Sequence, residues 1–422
     1  MSTSKWSKEQ VKKMLQEDNF SYQKIELPYG LSTRGADRSS TANQIFPNDM
    51  AGKSVLDIGS KHGYFCFEAL KRGATRVLGV DVDPDSIKKA RVLADCLGVE
   101  ASFELLDIES DPIHEKFDYV LCLNVLHHLN NPISTLDKLA AITRERLILE
   151  VAGLGRYDQK KLKVPLIPGL FLNKLPIIFV ASSGKSGRPT FQKFLITPSA
   201  IEHIFMHQRG IFARVDHVRS EHHNRTILVI HKRKVENLIL VAGPLVKETA
   251  TLINKLQSSE LPGLKERLGM DNGIPWTIMA PNQLSNIPEP HIKNLIFQYD
   301  LLRPFLRSAK VHKRDPVLEI LDTADHLTFL TLWHSPDKLQ EAWTKTHINP
   351  KMKFGGFWGK KRDLILQKEF KESSKIRAFY QSWFEFSRTK VGKHIIVCLE
   401  NGSRFYTFEE WEELTLPYEK KN

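Results

Sequence analysis

The sequence predicts a two-domain α/β protein, with a doubly wound, mostly parallel sheet in the first domain and a second α/β domain after it. The chain has 422 residues, which at about 150 residues per domain suggests two or three domains. Apolar, strand-like runs at residues 54–58 and 237–242 are each followed by a short turn and a helical pattern. Strands and helices then alternate, as they do in parallel sheets. We therefore expect residues 1–234 to form the first domain and residues 235–422 the second.

The composition excludes several classes of protein. Hydrophobic residues make up 41% and charged residues 26%, which is typical of globular rather than disordered chains. The four cysteines lack the paired spacing of a disulfide framework or a zinc site, so we expect a reducing compartment and no metal. The amino-terminal segment lacks the apolar core of a signal peptide, and lysines and prolines interrupt the most apolar stretch, 162–181. These features predict a cytoplasmic protein without a transmembrane segment.

Positive charge is concentrated in one part of the chain. The net charge is +12, and between residues 151 and 234 there are 15 Lys and Arg against 4 Asp and Glu. We expect a basic insertion over about 152–197, in which six cations contact an anionic partner: Arg156, Lys160, Lys161, Lys163, Lys185 and Arg188. Charge alone does not distinguish a nucleic acid from a phosphorylated metabolite or a lipid headgroup.

The elements of the first domain follow in a regular order. Strands are predicted at 54–58, 76–82, 101–107, 117–124 and 146–151, with helices at 65–73, 85–98 and 134–142 between them. After the basic insertion come a helix at 198–210 and two strands, 212–218 and 225–233. These last two strands predict a hairpin that closes the sheet.

The loop after the first strand has features of a ligand site. In the run VLDIGSKHG, Asp57, Gly59 and Gly63 lie between the strand and the next helix. Glycines allow a ligand to approach the backbone, and the helix amino end offers unpaired N–H groups. Asp57 either contacts the ligand or orients the loop through its N–H groups. The D-x-G-x-x-x-G spacing differs from the G-x-G-x-x-G of dinucleotide sites, so a pyrophosphate is not expected.

Three further strands end in polar residues. Asp81 follows Asp57 by 24 residues, where a carboxylate accepts ribose hydroxyls in nucleotide sites. Asp107 ends the third predicted strand, in position to accept from an adenine amino group, and Asn124 ends the fourth. Because parallel strand ends share one edge of a sheet, these side chains predict a crevice for a nucleotide-like ligand.

With these residues and the LNVLHHL segment in this order, the sequence resembles the class I S-adenosylmethionine-dependent methyltransferases over about residues 25–234. The resemblance implies a Rossmann-like fold and S-adenosyl-L-methionine as the cofactor. It places Gly59 and Gly63 at the methionine part, Asp81 at the ribose, and Asp107 with Ile108 at the adenine.

Within that class, the stretch YQKIELPYGLSTRGADRSS and the segment NVLHHLNNP look most like the branch that contains the tRNA wobble-uridine carboxymethyltransferases. By that similarity, Tyr29 and Arg34 close over the cofactor. The segment after Val151 has no clear counterpart in the branch. The acceptor, and the choice between plain and carboxylated S-adenosylmethionine, therefore stay open.

His127 and His128 are the candidate catalytic residues, and they match two aromatic or histidine positions of the branch after the fourth strand. A histidine is suited to act as a base at neutral pH if the acceptor is a hydroxyl. We place His127 first, because its position is the one expected to face the ligand. The alternative is that one ring packs in the core and the other caps the next helix.

The second domain opens with a strand, a loop and a helix in which Gly243, Lys247 and Thr249 follow one another. A phosphate-binding loop needs G-x-x-x-x-G-K-[ST], and here the second glycine is absent and the loop is shorter. The domain resembles P-loop kinases with a degenerate loop. We expect either nucleotide binding there or a retained fold that serves docking.

The leading hypothesis is methyl transfer from S-adenosylmethionine to a polar, anionic acceptor: a glycan intermediate, a phosphorylated metabolite or a lipid-linked sugar. A lipid-linked acceptor would bring the protein into peripheral contact with a membrane. The alternatives are an RNA (tRNA) methyltransferase, a bifunctional methyltransferase and kinase, and a non-catalytic protein that binds the cofactor. The sequence contains no recognisable RNA-binding module, which argues against the RNA alternative.

Overall fold

Two units divide the chain: Met1–Gln208 with Phe212–Lys232, and Arg209–Ile211 with Arg233–Asn422. The structure is a computed structural model. It describes residues 5–152, 174–183, 191–207, 211–220, 225–258, 260–270, 273–280, 283, 286–301, 316–335, 338–339, 341, 373–398 and 404–411. The change of unit between residues 232 and 233 lies close to the boundary expected from the sequence. All six cations named for the basic insertion lie outside the described residues.

The first unit is built on seven strands of one sheet. In chain order the strands of this unit are β1 (Ser54–Ile58), β2 (Arg76–Asp81), β3 (Ser102–Leu105), β4 (Phe117–Leu123), β5 (Thr143–Ala152), β6 (Ile178–Ser183), β7 (Phe191–Ile196), β8 (Phe212–Arg219) and β9 (Arg225–Lys232). The sheet has the order β3-β2-β1-β4-β5-β9-β8. Its first five strands are parallel, and β9 and β8 complete it in antiparallel pairing. The predicted Rossmann-like, doubly wound fold and its closing hairpin are confirmed.

Helices connect these strands and cover the sheet. They are α1 (Lys8–Glu17), α2 (Ser39–Ile45), α3 (Tyr64–Lys71), α4 (Pro84–Leu97), α5 (Pro132–Ile142) and α6 (Pro198–Glu202). The ends of α4 follow from its sequence, because the Asp83 carboxylate accepts the Asp85 N–H and Gly98 ends the helix at φ +64°. Val11 and Met14 of α1 are buried in the same core as the sheet, so the amino-terminal helix belongs to this unit.

Strands β6 and β7 form a separate antiparallel hairpin between β5 and α6. The basic insertion expected over about 152–197 includes this region, and no strands were predicted there. Apolar cross-strand pairs, such as Phe179 with Leu195 and Val180 with Phe194, explain why the two arms pair. Ser183 is the last residue of β6, and residues 184–190 lie outside the described part of the chain.

The second unit contains a six-stranded sheet of order β11-β12-β10-β13-β14-β15. Its strands are β10 (Lys234–Gly243), β11 (Thr277–Met279), β12 (His291–Asp300), β13 (Ala324–Trp333), β14 (Lys393–Cys398) and β15 (Arg404–Thr407), and its helices are α7 (Val246–Gln257), α8 (Pro262–Leu268) and α9 (Ser373–Arg388). All neighbours are parallel except β14 and β15. Residues Pro316–Thr323, before β13, form a 3-10 helix.

Both faces of the second sheet are covered. Leu238 and Leu240 of β10 pack in a cluster with Trp383 of α9, whereas Ile239 and Val241 pack with Leu252 of α7. Because successive strand residues point to opposite faces, this division places helices on both sides. The second α/β domain is therefore present, and its likeness to P-loop kinases stays a prediction.

Within the described ranges, no helix is long and apolar enough to cross a membrane.

Candidate active site

The loop between β1 and α3 requires its two glycines. Gly59 has φ +73°, and a Cβ there would lie 2.5 Å from Val125 Cγ2. Gly63 has φ +84°, and its Cβ would lie 2.5 Å from the Phe103 ring. The N–H groups of Gly59 and Ser60 both donate to the Val80 carbonyl, at 2.8 and 3.0 Å. The loop is thus fixed against the end of β2, and the amino end of α3 faces the crevice.

Asp81 is held by backbone hydrogen bonds at the end of β2. Its carboxylate accepts the N–H of Lys61 at 3.0 Å through Oδ2 and the N–H of Asp83 at 3.0 Å through Oδ1. Lys61, at φ +49°, also brings its ammonium group to 3.9 Å from Oδ1. Each carboxylate oxygen keeps capacity for a second donor, which is what two ribose hydroxyls would need. The role of Lys61 was not predicted.

Asp107 and Ile108 lie in the turn after β3. The Asp107 Oδ1 atom accepts the N–H of Glu109 at 2.9 Å, and the Asp107 N–H donates to Asp111 at 2.8 Å. Ile108 is buried, and its carbonyl accepts a hydrogen bond from the Lys138 ammonium at 3.0 Å. The turn therefore offers a fixed carboxylate beside an apolar side chain, which suits an adenine ring.

Asn124 lies just after β4 in a conformation that is rare for a residue with a Cβ. Its φ is +64°, and its N–H donates to the Glu150 carbonyl at 3.2 Å. Its buried Oδ1 atom has no hydrogen-bond partner in the described part of the chain. Left-handed backbone at such a residue costs on the order of 1–2 kcal/mol. Strain and an unsatisfied acceptor together indicate a site built for a ligand.

His127 and His128 follow on the 3-10 turn Leu126–His128, and their ring centroids are 4.0 Å apart. His128 is exposed and His127 is half-buried. Neither ring belongs to the wall of the cavity beside Asn124. The turn that bears them follows β4, at the same strand end as the cavity. The role of the two histidines as bases stays a prediction.

A cavity of about 250 Å³ lies at the carboxyl ends of β1, β4 and β5. It is lined by Tyr22, Gln23, Ala36, Arg38, Asp57, Gly59, Phe65, Leu123, Asn124, Glu150 and Arg225. Asp57 is buried, and its Oδ2 atom has no hydrogen-bond partner among the described residues. Burial, reinforced by the nearby Asp81 charge, raises the pKa of Asp57 to about 8, although the Arg38 charge opposes that rise. The cavity is therefore ready for a cation near Asp57.

A buried ion pair forms another part of the cavity wall. The Arg38 Nη2 atom lies 3.1 Å from Glu150 Oε2, and both side chains are at least nine-tenths buried. The Ser220 hydroxyl donates to the other Glu150 oxygen. The Arg38 Nε atom is buried without a hydrogen-bond partner in the described chain, so one donor remains for a ligand.

The segment before β1 contributes to this wall through residues other than those predicted. Tyr29 is 52% exposed, and its hydroxyl donates to the Trp6 carbonyl. Arg34 is exposed, and neither residue lines the cavity. Tyr22 and Arg38 of the same segment do so instead. The segment carries both arginines in TRGADR, and no sequence periodicity distinguishes the buried one from the exposed one.

The predicted nucleotide residues of the second unit lie around a short connection. Only Pro244 and Leu245 separate Gly243, the end of β10, from α7. The Thr249 hydroxyl donates to the Leu245 carbonyl at 2.9 Å, and a Cβ at Gly243 would lie 2.5 Å from that hydroxyl. Lys247 is exposed. Nucleotide binding here stays a prediction, and this geometry does not favour it.

No group of three or more His, Cys, Asp or Glu that could hold a metal ion occurs within the ranges that the structure describes.

Comparison with known proteins places the site in a recognised domain. Residues 49–156 match the family model described as a methyltransferase domain. The tRNA U34 carboxymethyltransferase of Campylobacter hominis is 37% identical over 92 residues, which is 22% of this chain and 32% of that protein. The enzyme of the same name from Campylobacter jejuni subsp. jejuni is 27% identical over 139 residues, which is 33% of this chain and 47% of that protein. The chain thus spans less than half the length of these curated relatives.

Solved structures also resemble the chain. Magnesium protoporphyrin IX methyltransferase from Synechocystis PCC 6803, solved with bound S-adenosylmethionine, has a TM-score of 0.33 and 19% identity, covering 46% of this chain and 77% of that one. The amino-terminal domain of EvdMO1, solved with S-adenosylhomocysteine, has a TM-score of 0.40 and 13% identity, covering 54% of this chain and 97% of that one.

Proposed function

Because the chain carries an S-adenosylmethionine-dependent methyltransferase domain, as its sequence predicted, we propose that it transfers a methyl or carboxymethyl group to RNA, with tRNA as the first candidate. The curated relatives are named tRNA U34 carboxymethyltransferases. Their names favour RNA over the glycan, phosphorylated metabolite or lipid-linked sugar that the sequence analysis placed first. The net charge of +12 suits an RNA acceptor equally well.

The observation that supports cofactor binding, which the proposal requires, is a pair of polar atoms in the cavity wall that have no hydrogen-bond partner among the described residues. The methionine part of the cofactor bears one ammonium and one carboxylate group. The Asp57 Oδ2 atom suits the ammonium and the Arg38 Nε–H suits the carboxylate, since neither has a partner in the part of the chain that the structure describes. The unsatisfied amide oxygen of Asn124 is a further acceptor in the same wall. These groups support cofactor binding at the end of β1, beside the Asp81 position proposed for the ribose.

The same residues suggest how this chain promotes transfer. When bound, S-adenosylmethionine supplies an electrophilic methyl group on a sulfonium, whose carbon–sulfur electrons return to sulfur as the new bond forms. Alignment of the acceptor and exclusion of water account for most of the acceleration in such reactions. His127 would accept the acceptor's proton if the nucleophile is a hydroxyl or a protonated nitrogen. The Asp57 carboxylate would offset the positive charge of the donor, whereas the Glu150 charge is already balanced by Arg38.

Incubation of the full chain with bulk tRNA, in separate reactions with S-adenosylmethionine and its carboxylated form, tests this function. Digestion to nucleosides and mass spectrometry then report any transfer. We expect a methylated nucleoside with the first donor or a carboxymethylated one with the second, and less product from the Asp81→Ala variant when the donor is not saturating. Replacement of the exposed Asp325 by Asn is the matched control and should keep full activity. Binding of S-adenosylhomocysteine without transfer to any RNA from either donor would reject RNA as the acceptor.

A further inference from the structure

The β6–β7 hairpin is a fixed projection beside the candidate active site. Strand β7 lies against the 3-10 turn Leu126–His128 and approaches β5. At the base of the hairpin, the Thr197 hydroxyl donates to the Leu175 carbonyl at 2.6 Å and accepts the Ile177 N–H at 3.2 Å. The Thr197 N–H in turn donates to the Ile177 carbonyl. The hairpin therefore holds a defined position on the first unit.

Both faces of this hairpin are apolar. Ile178 pairs with Ile196 and Val180 with Phe194 on one face, whereas Phe179 pairs with Leu195 on the other. Ile196 is buried, but three aliphatic side chains of the first arm are exposed: Leu175 by 47%, Ile178 by 40% and Val180 by 60%. A two-stranded sheet without cover on one apolar face is marginal in water. The exposed group, here called the aliphatic edge, consists of Leu175, Ile178 and Val180.

The sequence that contains the aliphatic edge is strongly basic, and this charge indicates which partner binds there. Residues 159–201 contain seven Lys and Arg and no Asp or Glu. Lys174 is exposed and directly precedes the aliphatic edge. Aliphatic side chains flanked by lysines are typical of segments that enter the headgroup region of anionic bilayers. Single-stranded nucleic acids, by contrast, are usually bound through exposed aromatic rings, and the exposed side chains here are aliphatic.

We propose that the aliphatic edge of the β6–β7 hairpin docks on an anionic membrane surface, with the exposed Lys174 contacting the lipid headgroups. Leu175, Ile178 and Val180 enter the acyl boundary, and Lys174 lies at the headgroup level. Because β7 lies against the turn that bears His127 and His128, docking brings the active-site opening close to the membrane. This inference goes beyond the proposed function and does not depend on which acceptor is used.

Sedimentation of the full chain with vesicles tests the proposal. Phosphatidylcholine vesicles are compared with vesicles that also contain phosphatidylglycerol, at low and high salt. We expect binding only to the anionic vesicles and weaker binding at high salt. The double variant Ile178→Asp, Val180→Asp should lower the vesicle partition by about tenfold or more, because two aliphatic groups that enter the bilayer are replaced by anions. The matched control is Val391→Asp, since Val391 is 98% exposed in the second unit.

Four results would overturn the proposal. The first is vesicle binding that the double variant leaves intact, and the second is vesicle binding that Val391→Asp weakens equally. The third is an absence of vesicle binding together with RNA binding that the double variant loses. The fourth is a dimer that the double variant dissociates. The third result would assign the edge to RNA, and the fourth to a second copy of the chain. Thermal melting must show both variants folded, and the milder Val180→Ser replaces the double variant if it does not fold. Vesicle binding is measured without donor or acceptor, so it is independent of the transfer assay.

Discussion

Asp57 carries an electrostatic cost in the absence of a ligand. Burial, with help from the Asp81 charge, raises its pKa from 3.8 to about 8 in the folded chain. Between these two pKa values the unfolded chain binds fewer protons than the folded one. The free energy of unfolding therefore falls as pH rises through this range, and this loss of stability is complete above about pH 8. We expect Asp57→Asn to melt above wild type, by more at about pH 8 than at about pH 5. Differential scanning calorimetry at both pH values measures this, and a difference independent of pH would contradict it. Asp325→Asn should show no such trend.

Asp81 is the residue on which the ribose assignment rests. Removing a charged hydrogen-bond acceptor costs on the order of 1.5–3 kcal/mol. We expect Asp81→Ala to weaken S-adenosylhomocysteine binding by that amount, measured by isothermal titration. Since Asp81 also fixes the Lys61 and Asp83 N–H groups, Lys61→Ala is a useful comparison: it removes the 3.9 Å ammonium contact and keeps the carboxylate. Unchanged affinity in Asp81→Ala would move the ribose elsewhere.

The connection between β10 and α7 is an element whose geometry limits its chemistry. It has two residues, one of them Pro244, which lacks an N–H donor, and the Thr249 hydroxyl already donates to Leu245. We expect weak or no binding of magnesium ATP, with no change in Lys247→Ala. Fluorescent ATP titration of both proteins is the measurement. Tight binding that Lys247→Ala abolishes, with phosphoryl transfer, would establish the kinase alternative.

Sequence patterns located the regular elements of the sheets well and the irregular ones poorly. Strands β1 to β5 were predictable because each is a continuous apolar run between helical patterns. The β6–β7 hairpin was not, since its prolines and lysines resemble a loop and its strand pairing depends on contacts distant in sequence.

The cavity wall shows the same limit at the level of single side chains. Gly59, Asp57 and Asn124 were predictable because their positions at strand ends determine their surroundings. Arg38 and Tyr22 were missed in favour of Arg34 and Tyr29, because tertiary packing decides which residues of an irregular segment turn inward. Glu150 was missed because a strand carboxylate is recognised as part of a site only when its partner Arg38 is known.

At the scale of the whole molecule, every strand end used for the cofactor belongs to the first unit. We expect a fragment of residues 1–233 to bind S-adenosylhomocysteine as tightly as the full chain. A fragment that starts at residue 25 should be less stable, because it lacks the buried Val11 and Met14 and the Trp6 indole bond to Asp95 at 2.8 Å. Titration of both fragments and of the full chain checks this. A folded 1–233 fragment that does not bind would reject the assignment of the site to this unit.

The buried carboxyl group of Asp57 links cofactor binding to the release of a proton. In the empty cavity near neutral pH this group holds its proton, because its pKa is about 8. A cation seated against it favours the carboxylate, so each cofactor molecule that binds should expel up to one proton into the buffer. The heat of binding should then vary with the ionisation enthalpy of the buffer, being different in Tris and in phosphate at the same pH. Asp57→Asn should bind with one heat in both buffers, which makes this single buried side chain a source of protons that calorimetry can count.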